Sequence, residues 1–154
     1  MAKQIRYRQF ITSRVSVDGR TFVQKDAWLD PAQVIQAGVA NCMNRSVLLC
    51  SLLRQTLPPE QVYTVLGNVN GDGHAWVLVR LDQDYILETT SPRLPSCFIS
   101  ADSTEIYDPV IFFNDNDKGV RYFPEKRIHE PFSDCFCVRW LEDYLQKREC
   151  VAYI

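Results

Sequence analysis

"QAGVANCMNRSVLLCSLLR", residues 36–54, places a cysteine directly after a turn of small residues and directly before an apolar helical run. Asn41 is a suitable N-cap, and the apolar residues that follow predict a buried, central helix. A cysteine in the first turn of a helix lies near unpaired N–H groups and the positive end of the helix dipole, which stabilise a thiolate. Cys42 is therefore a candidate nucleophile, although a small buried residue at a helix start gives the same pattern.

The residues upstream of this segment also carry helix signals. Asp30 and the proline after it predict an N-cap and a first helical residue, so residues 32–36 are predicted to form a short helix that Gly38 ends. Further upstream, Gln4 to Val15 is predicted to be a leading helix. The stretch from there to Trp28 is predicted to be irregular.

Downstream of the central helix the pattern changes from helical to extended. Residues 62–69, 74–81 and 85–90 are rich in β-branched and aromatic side chains and are separated by turn residues, which predicts an antiparallel meander. Residues 109–123 predict a further hairpin, and residues 137–148 predict a closing helix. Helices followed by a sheet indicate an α+β fold.

Length and composition limit the class of protein. A chain of 154 residues that is 46% hydrophobic and 23% charged fits one globular domain over residues 1–154. The net charge is -2 and the basic residues are scattered, so nucleic acid is not an expected partner. No apolar run approaches the ~20 residues of a membrane span, and the start of the sequence lacks an apolar signal region. We therefore expect no membrane partner and a cytoplasmic location.

The sequence contains six cysteines and two histidines. A domain of this size does not need disulfides, and nothing marks it as secreted, so we expect mostly free thiols. Cysteines other than Cys42 are predicted to be packing residues: Cys50, Cys97, Cys135, Cys137 and Cys150. Because no second cysteine pair lies at zinc-ribbon spacing, we predict no metal site and no cofactor.

A histidine and a glutamate occupy positions that could serve the cysteine. His74 follows the "NGDG" turn and opens a strand, while Glu88 interrupts an otherwise apolar and hydroxyl-bearing strand. A carboxylate on the neighbouring strand would fix the histidine tautomer. A turn centred on Gln83 would leave the two about two residue pairs out of opposition, so contact needs a bulge or a turn nearer Leu81. The alternatives are a turn histidine bonded to backbone and a solvated sheet glutamate; His129 is predicted to be an exposed bystander.

Three stretches together resemble the transglutaminase-like superfamily: "WLDPAQVIQAGVANCMNRSVLLCSLLR", "GHAWVLV" and "YILETTSP". The papain-like core of that superfamily carries a tryptophan and a proline before a G-x-x-C helix start, then H-A-W, then an acid before threonine. The resemblance covers residues 28–92 and is specific as an ordered set. It implies a papain-like α+β core with N-terminal helices, in which the nucleophile helix packs on an antiparallel sheet.

The resemblance implies a role for each matching residue. Cys42 would be the nucleophile, His74 the base and Glu88 the acid that orients the imidazole. The backbone N–H of Cys42, helped by Trp28, would lie near the oxyanion, and Asn41 would lie beside it in the substrate cleft.

The sequence departs from the family pattern in two places. Members usually carry aspartate where Glu88 stands, and the extra methylene changes the reach of the carboxylate to the imidazole. The bacterial cysteine peptidases of the superfamily carry acidic residues on both sides of the cysteine, as in D-C-E-D, which help to bind calcium. Here these positions are Asn41, Met43 and Asn44, so we expect no calcium dependence.

These observations predict an amide-bond hydrolase, a peptidase that acts on a peptide or protein substrate through a thioester. Protein cross-linking by acyl transfer uses the same first step but needs an amine channel that competes with water. Removal of glycans from asparagine, as in the related peptide N-glycanases, is a further enzymatic alternative. A catalytically inactive module that keeps the fold for binding or scaffolding is the alternative from a different class. Glutamate at position 88 favours that alternative, whereas retention of thiol, imidazole and carboxylate in order argues against it.

Overall fold

The helices and strands follow a helix-then-sheet order after a short N-terminal section of strands. The computed structural model describes residues 5–9, 13–24, 28–90, 98–100, 106–116, 120–130, 132 and 136–147. The strands are β1 (Arg6–Tyr7), β2 (Ser13–Val17), β3 (Arg20–Gln24), β4 (Val39–Ala40), β5 (Val62–Val69), β6 (Asp72–Arg80), β7 (Asp84–Leu87), β8 (Phe98–Ser100), β9 (Tyr107–Phe113) and β10 (Arg121–Tyr122). The helices are α1 (Pro31–Ala37), α2 (Cys42–Leu53) and α3 (Phe136–Lys147).

Helix α1 begins and ends at the residues that the sequence predicts. The Asp30 side chain accepts a hydrogen bond from the Gln33 backbone N–H, and the Gln33 side chain accepts one from the Asp30 backbone N–H. This reciprocal capping box satisfies two N–H groups that a helix start otherwise leaves unpaired. Gly38 ends the helix in the left-handed region at φ 66°, where glycine carries no Cβ penalty.

The start of α2 is fixed from two directions. The Asn41 side chain accepts a hydrogen bond from the Asn44 backbone N–H at 3.0 Å and so caps the helix. Immediately upstream, β4 pairs in parallel with β1, and the backbone N–H groups of Arg6 and Arg8 donate hydrogen bonds to the carbonyls of Gly38 and Ala40. These contacts fix the position of the first turn of α2.

The main sheet has six strands in the order β10-β9-β5-β6-β7-β8, and every neighbouring pair in it is antiparallel. The predicted meander forms its β5-β6-β7 part, and the predicted hairpin forms the β9-β10 pair. Asn70 and Gly71, at φ 52° and 84°, make the turn between β5 and β6. Two residues at positive φ match the twist of a tight hairpin.

The two faces of the sheet bury different clusters. Helix α2 covers one face, where the packed side chains are Leu49, Cys50, Leu53, Val62, Val77 and Val79. The opposite face buries Tyr63, Val65, Trp76, Leu78, Ile86 and Phe112. Neighbouring residues of β5 and β6 alternate between these clusters, as the two-residue period of a strand requires. None of the described helices is long and apolar enough to cross a membrane.

The predicted leading helix from Gln4 to Val15 is wrong where the structure describes it. Residues 6–7 form β1, and residues 13–17 pair with residues 20–24 in a two-stranded hairpin. The turn consists of Asp18 and Gly19 at φ 50° and 75°. An Asp-Gly pair between β-branched runs is a strong hairpin signal, which the helical prediction overlooked.

The predicted closing helix is confirmed as α3, Phe136–Lys147. Cys50 is buried with an exposed fraction of 4%, as expected of a packing cysteine. Cys97, Cys135 and Cys150 lie outside the described residues, and so does the side chain of Cys137. Their predicted packing roles stay predictions.

Candidate active site

His74 and Glu88 are joined by a hydrogen bond between two neighbouring strands. His74 lies near the start of β6, and Glu88 directly follows the last residue of β7. The His74 Nε2 lies 3.0 Å from each carboxylate oxygen of Glu88. The Glu88 side chain is only 4% exposed and that of His74 19%. The prediction that an acid on the next strand contacts this imidazole therefore agrees with the geometry.

The Glu88 carboxylate receives further donors from two residues. Thr90 donates to Oε1 from its backbone N–H at 3.2 Å and from its hydroxyl at 3.0 Å. The Tyr107 hydroxyl donates to Oε2 at 2.7 Å. Burial raises the pKa of Glu88, but the hydrogen bonds from His74, Tyr107 and Thr90 outweigh burial and hold this pKa below its ordinary value. The carboxylate is thus ionised and held on both oxygens.

Cys42 is the first residue of α2 and is 1% exposed. Its side chain lies near enough to the His74 imidazole to influence the pKa of that ring. Since Glu88 occupies Nε2, the ring nitrogen left for the thiol is Nδ1. Burial lowers the pKa of His74, but the hydrogen bonds and charges of Cys42 and Glu88 outweigh burial and raise this pKa from 6.5 to about 10. The surroundings therefore favour the protonated imidazole.

Arg45 ties the first turn of α2 to the residue after Glu88. Its guanidinium donates a hydrogen bond to the Thr89 carbonyl at 2.8 Å and another to the Ile5 carbonyl. Burial lowers the pKa of Arg45, whereas the charges of Tyr7 and Cys42 raise it. Its cationic group is thus held near the thiol and also fixes the backbone that carries the acid. No motif in the sequence identifies Arg45 as part of this site.

Trp28 and Asn41, both predicted near the oxyanion, have different surroundings. The Trp28 Nε1 is buried without an acceptor among the residues that the structure describes. The Trp28 ring stacks on Phe113 with 5.8 Å between ring centroids, and the next backbone N–H, that of Leu29, donates to the Asn44 side chain at 3.0 Å. Trp28 is therefore held beside the first turn of α2. Asn41 is fully buried and its side chain caps α2.

A surface groove of about 370 Å³ opens beside His74. Its lining includes Tyr7 from β1, Asp72 and Gly73 from the start of β6, and Phe132 from the C-terminal part of the chain. A larger cavity of about 470 Å³ lies along the other end of α2. Of these two spaces, only the groove is lined by a residue of the candidate active site.

His129 is exposed, and its Nδ1 lies 3.0 Å from the Gly71 carbonyl. It lies outside the Cys42–His74–Glu88 group, in agreement with its predicted role as a bystander. Within the described part of the chain, no group of three or more His, Cys, Asp or Glu side chains is placed to hold a metal ion.

Comparisons with known proteins give matches in structure and none in sequence. No family model matches the chain, and no curated protein matches it. Calcium-bound LapG from Legionella pneumophila is similar to the fold at a TM-score of 0.57 and 16% identity, over 96% of this chain and 74% of LapG. A second LapG structure gives a TM-score of 0.57 and 18% identity, over 96% of this chain and 72% of LapG. EGTA-treated LapG from the same organism gives a TM-score of 0.57 and 17% identity, over 95% of this chain and 72% of LapG.

At these identities the likeness concerns the fold. It supports a distant, fold-level relationship to LapG. The mixed architecture with its antiparallel sheet is consistent with a papain-like fold. The roles of the individual side chains have to be argued from their own geometry.

Proposed function

We propose that this protein is a cysteine-dependent amide-bond hydrolase, a peptidase in which Cys42, His74 and Glu88 act as nucleophile, base and orienting acid. One arrangement carries the proposal: a single imidazole bonds to a buried carboxylate and interacts with the thiol of a helix N-terminus. A nucleophile, a base and a group that orients the base form the arrangement that covalent catalysis requires. The LapG-like fold adds support at the level of architecture.

The first half of the proposed reaction forms an acyl-enzyme. His74 accepts the thiol proton on Nδ1, and the Cys42 sulfur attacks the substrate carbonyl carbon, so that a C–S bond forms and the carbonyl oxygen becomes an oxyanion. Because Cys42 is the first residue of α2, its backbone N–H has no intrahelical acceptor. That N–H and the unpaired Trp28 Nε1 are the two donors that we assign to the oxyanion. The intermediate then expels the amine, which takes its proton from the His74 imidazolium.

The second half of the proposed reaction releases the acid. His74, neutral again, accepts a proton from a water molecule that attacks the thioester carbon. Collapse of this second intermediate breaks the C–S bond, and the leaving Cys42 sulfur recovers its proton from His74. Glu88 accepts the Nε2–H hydrogen bond in both halves and stabilises each imidazolium.

The proposed reaction needs no calcium at the cysteine. One of the LapG structures is calcium-bound, so the comparison raises the question for this chain. The side chains flanking Cys42 are neutral; Asn41 caps α2, Met43 is buried in the core, and Asn44 accepts from the Leu29 backbone. Calcium favours carboxylate oxygens, which these three positions lack.

Selective alkylation of the cysteines tests the proposal. The intact protein is treated with iodoacetamide at about pH 6, where ordinary thiols are almost entirely protonated, and each cysteine is quantified by mass spectrometry. Cys50 is the internal control, because it is about as buried as Cys42 and burial raises the pKa of its thiol. We expect Cys42 to react at least about a hundredfold faster than Cys50, and His74→Gln to abolish the difference.

Two outcomes separate the proposal from its alternatives. Equal labelling of Cys42 and Cys50 in the wild type would sink the proposal and leave the scaffold or binding module. If Cys42 is selectively labelled, incubation with a peptide library is compared between wild type and Cys42→Ala. New peptide termini that depend on Cys42 support hydrolysis, whereas incorporation of an added primary amine without cleavage would replace hydrolysis with cross-linking.

A further inference from the structure

Tyr107 contacts the candidate active site from β9, a strand that no sequence motif links to it. It is the first residue of β9 and pairs with Val69 of β5. Strands β5 and β6 lie between β9 and β7 in the sheet, so the Tyr107 and Glu88 side chains meet across these two strands. Its hydroxyl ends 2.7 Å from the Glu88 Oε2, within the range of a hydrogen bond to a charged acceptor.

The Tyr107 ring also supports the imidazole through Trp76. The Tyr107 and Trp76 rings form an edge-to-face pair with 5.0 Å between centroids and an interplanar angle of 77°. Trp76 in turn stacks with His74 at 6.3 Å and 25°. Both geometries are the favourable ones for aromatic pairs. Tyr107 thus contacts Glu88 through its hydroxyl and supports His74 through the Trp76 ring.

The path of Tyr107 across β5 passes a position without a side chain. Gly67 pairs with His74 on one side and with Pro109 on the other, where the register of β5 and β9 shifts by one residue. A Cβ on Gly67 would lie 2.8 Å from the Trp76 ring and would also meet the Asp108 carbonyl oxygen. The bare glycine and the bulge together leave room for the aromatic contacts between β9 and β6.

We propose that Tyr107 is a positioning residue that holds the Glu88 carboxylate in the orientation that accepts the hydrogen bond from His74 Nε2–H. The inference rests on the proposed function, since it assigns Tyr107 a role only if the imidazole serves Cys42. The terminal torsion of a glutamate is broad, so hydrogen bonds decide where its oxygens lie. Thr90 donates only to Oε1. Of the described donors to Oε2, Tyr107 is the one besides His74.

Solvent cannot take over the role of this hydroxyl. Glu88 is 5% exposed, so the loss of a donor leaves an oxygen that water does not reach. Burial and the hydrogen bond to Glu88 raise the pKa of the Tyr107 phenol, so the group stays a donor throughout the working pH range. Phenylalanine would keep the ring contacts with Trp76 and remove the hydrogen bond alone.

The test compares Tyr107→Phe with Tyr63→Phe. Tyr63 lies in the same apolar cluster as Trp76 and is 4% exposed, and in the described part of the chain its hydroxyl bonds to nothing. Alkylation of Cys42 by iodoacetamide is measured as a function of pH for the wild type and both variants. For Tyr107→Phe we expect a rate about tenfold lower, the order expected for losing a hydrogen bond to a charged group. The acid side of the profile should move to higher pH, because Glu88 with one donor fewer protonates more readily.

A second measurement follows the imidazole directly. The chain has two histidines, so ¹⁵N-histidine labelling gives a simple spectrum that His129→Gln assigns. In the wild type we expect the His74 imidazole to stay protonated up to about pH 10. In Tyr107→Phe it should lose its proton at a lower pH, because a carboxylate out of position stabilises the imidazolium less. Introduced into Glu88→Gln, Tyr107→Phe should have no further effect, since its partner has already lost its charge.

The outcomes distinguish this inference from the proposed function. If the wild type labels Cys42 selectively and Tyr107→Phe keeps both the rate and the pH profile, the positioning role is overturned and the proposed function stands. If Tyr63→Phe slows the reaction as much as Tyr107→Phe, the effect is one of packing and the inference also fails. If the wild type shows no preference for Cys42, the proposed function fails and takes the inference with it.

Discussion

Glu88 reaches His74 along a diagonal of the β6–β7 pair and not from directly opposite. The register pairs Val77 with Leu87 and Arg80 with Asp84, so its continuation places Glu88 opposite Trp76. The turn is centred on Asp82, between the centres at Gln83 and Leu81 named above. The offset between His74 and Glu88 along the strands is therefore half of that expected for a turn centred on Gln83. Diagonal neighbours in a sheet lie about 7–8 Å apart, a span that the longer acidic side chain suits. Contact therefore needs no bulge between these strands.

Shortening this side chain should harm the candidate active site. Glu88→Asp withdraws the carboxylate by about one C–C bond, or about 1.5 Å, and a displacement of about 1 Å in a catalytic group can cost on the order of a hundredfold. We expect the Cys42 alkylation rate at about pH 6 to fall by about that factor. Glu88→Gln keeps the length but loses the charge that stabilises the imidazolium, so it should also react more slowly. Wild-type rates in both variants would reduce the group to a Cys42–His74 dyad.

The ionisation of Glu88 should appear in the pH dependence of stability. Its pKa in the folded state lies below the value of 4.5 for an unperturbed glutamate. The stability it contributes is therefore present above pH 4.5 and is lost as the pH falls through the folded-state pKa. In urea unfolding between about pH 3 and about pH 7, Glu88→Gln should be less stable than wild type near neutrality. That difference should shrink on the acid side.

Glu142 provides a control of opposite sign for the same titration. Burial raises the pKa of its carboxyl, and Asp143 adds to the shift against the charge of Arg127. Its ionisation therefore opposes folding, and Glu142→Gln should be more stable than wild type near neutrality. Parallel curves for the two glutamine variants would contradict the directions assigned to both carboxyls.

Arg45 should matter both for stability and for thiol reactivity. Arg45→Gln leaves the Thr89 and Ile5 carbonyls without their charged donor, so we expect the free energy of unfolding to fall by about 1–3 kcal/mol. Alkylation of Cys42 should also slow, because a nearby cation is lost and the backbone beside Glu88 is freed. The matched control is Arg54→Gln, at the other end of the same helix, whose guanidinium pairs with the exposed Asp115. An equal effect of the two variants on Cys42 would show that Arg45 acts only through helix stability.

A methyl group at position 67 should not be tolerated. The Cβ of Gly67→Ala would meet the Asp108 carbonyl oxygen and approach the Pro109 Cα to 2.9 Å. Both are backbone atoms, which cannot turn aside as a flexible side chain can. We expect a loss of about 1–3 kcal/mol in urea unfolding, typical of overpacking, together with slower alkylation of Cys42. An alanine variant with wild-type stability would mean that β5 and β9 can separate at the bulge.

Removal of calcium should leave the reactivity of Cys42 unchanged. The residues flanking it are neutral and already make internal contacts, so they offer no carboxylate set to a hard cation. Alkylation of Cys42 is measured in excess EGTA and again with calcium restored. A rate that rises with calcium and falls with EGTA would contradict this expectation.

The local features of the fold could be predicted from the sequence because their signals are local. The ends of the helices are marked by capping residues whose effect acts within one helical turn. Asp30 and Gly38 cap the two ends of α1, and Asn41 caps the start of α2. The strands that carry His74 and Glu88 follow from residue type and turn spacing. The N-terminal hairpin carries a local signal of equal strength, the Asp18–Gly19 turn, which the prediction of a leading helix leaves out.

The remaining parts of the site depend on which strands become neighbours. Tyr107 meets Glu88 because β9 pairs with β5 and so lies in the same sheet as β7. No periodicity in residues 107–113 encodes that strand order. Arg45 is an ordinary helix residue until Thr89 and Ile5 are brought to it. Thr90 is the exception, since a hydroxyl two residues after an acid is a recognisable local partner.

The hairpin that joins β6 and β7 has a consequence for the order of assembly of the candidate active site. His74 and Glu88 lie 14 positions apart on one hairpin, and the closure of a short loop costs less entropy than the docking of a distant element. We expect the imidazole–carboxylate pair to form early in folding. Cys42 is synthesised first but meets that pair only when α2 packs on the sheet. The thiol of a partly folded chain would thus remain an ordinary thiol, and its reactivity would begin when folding is complete.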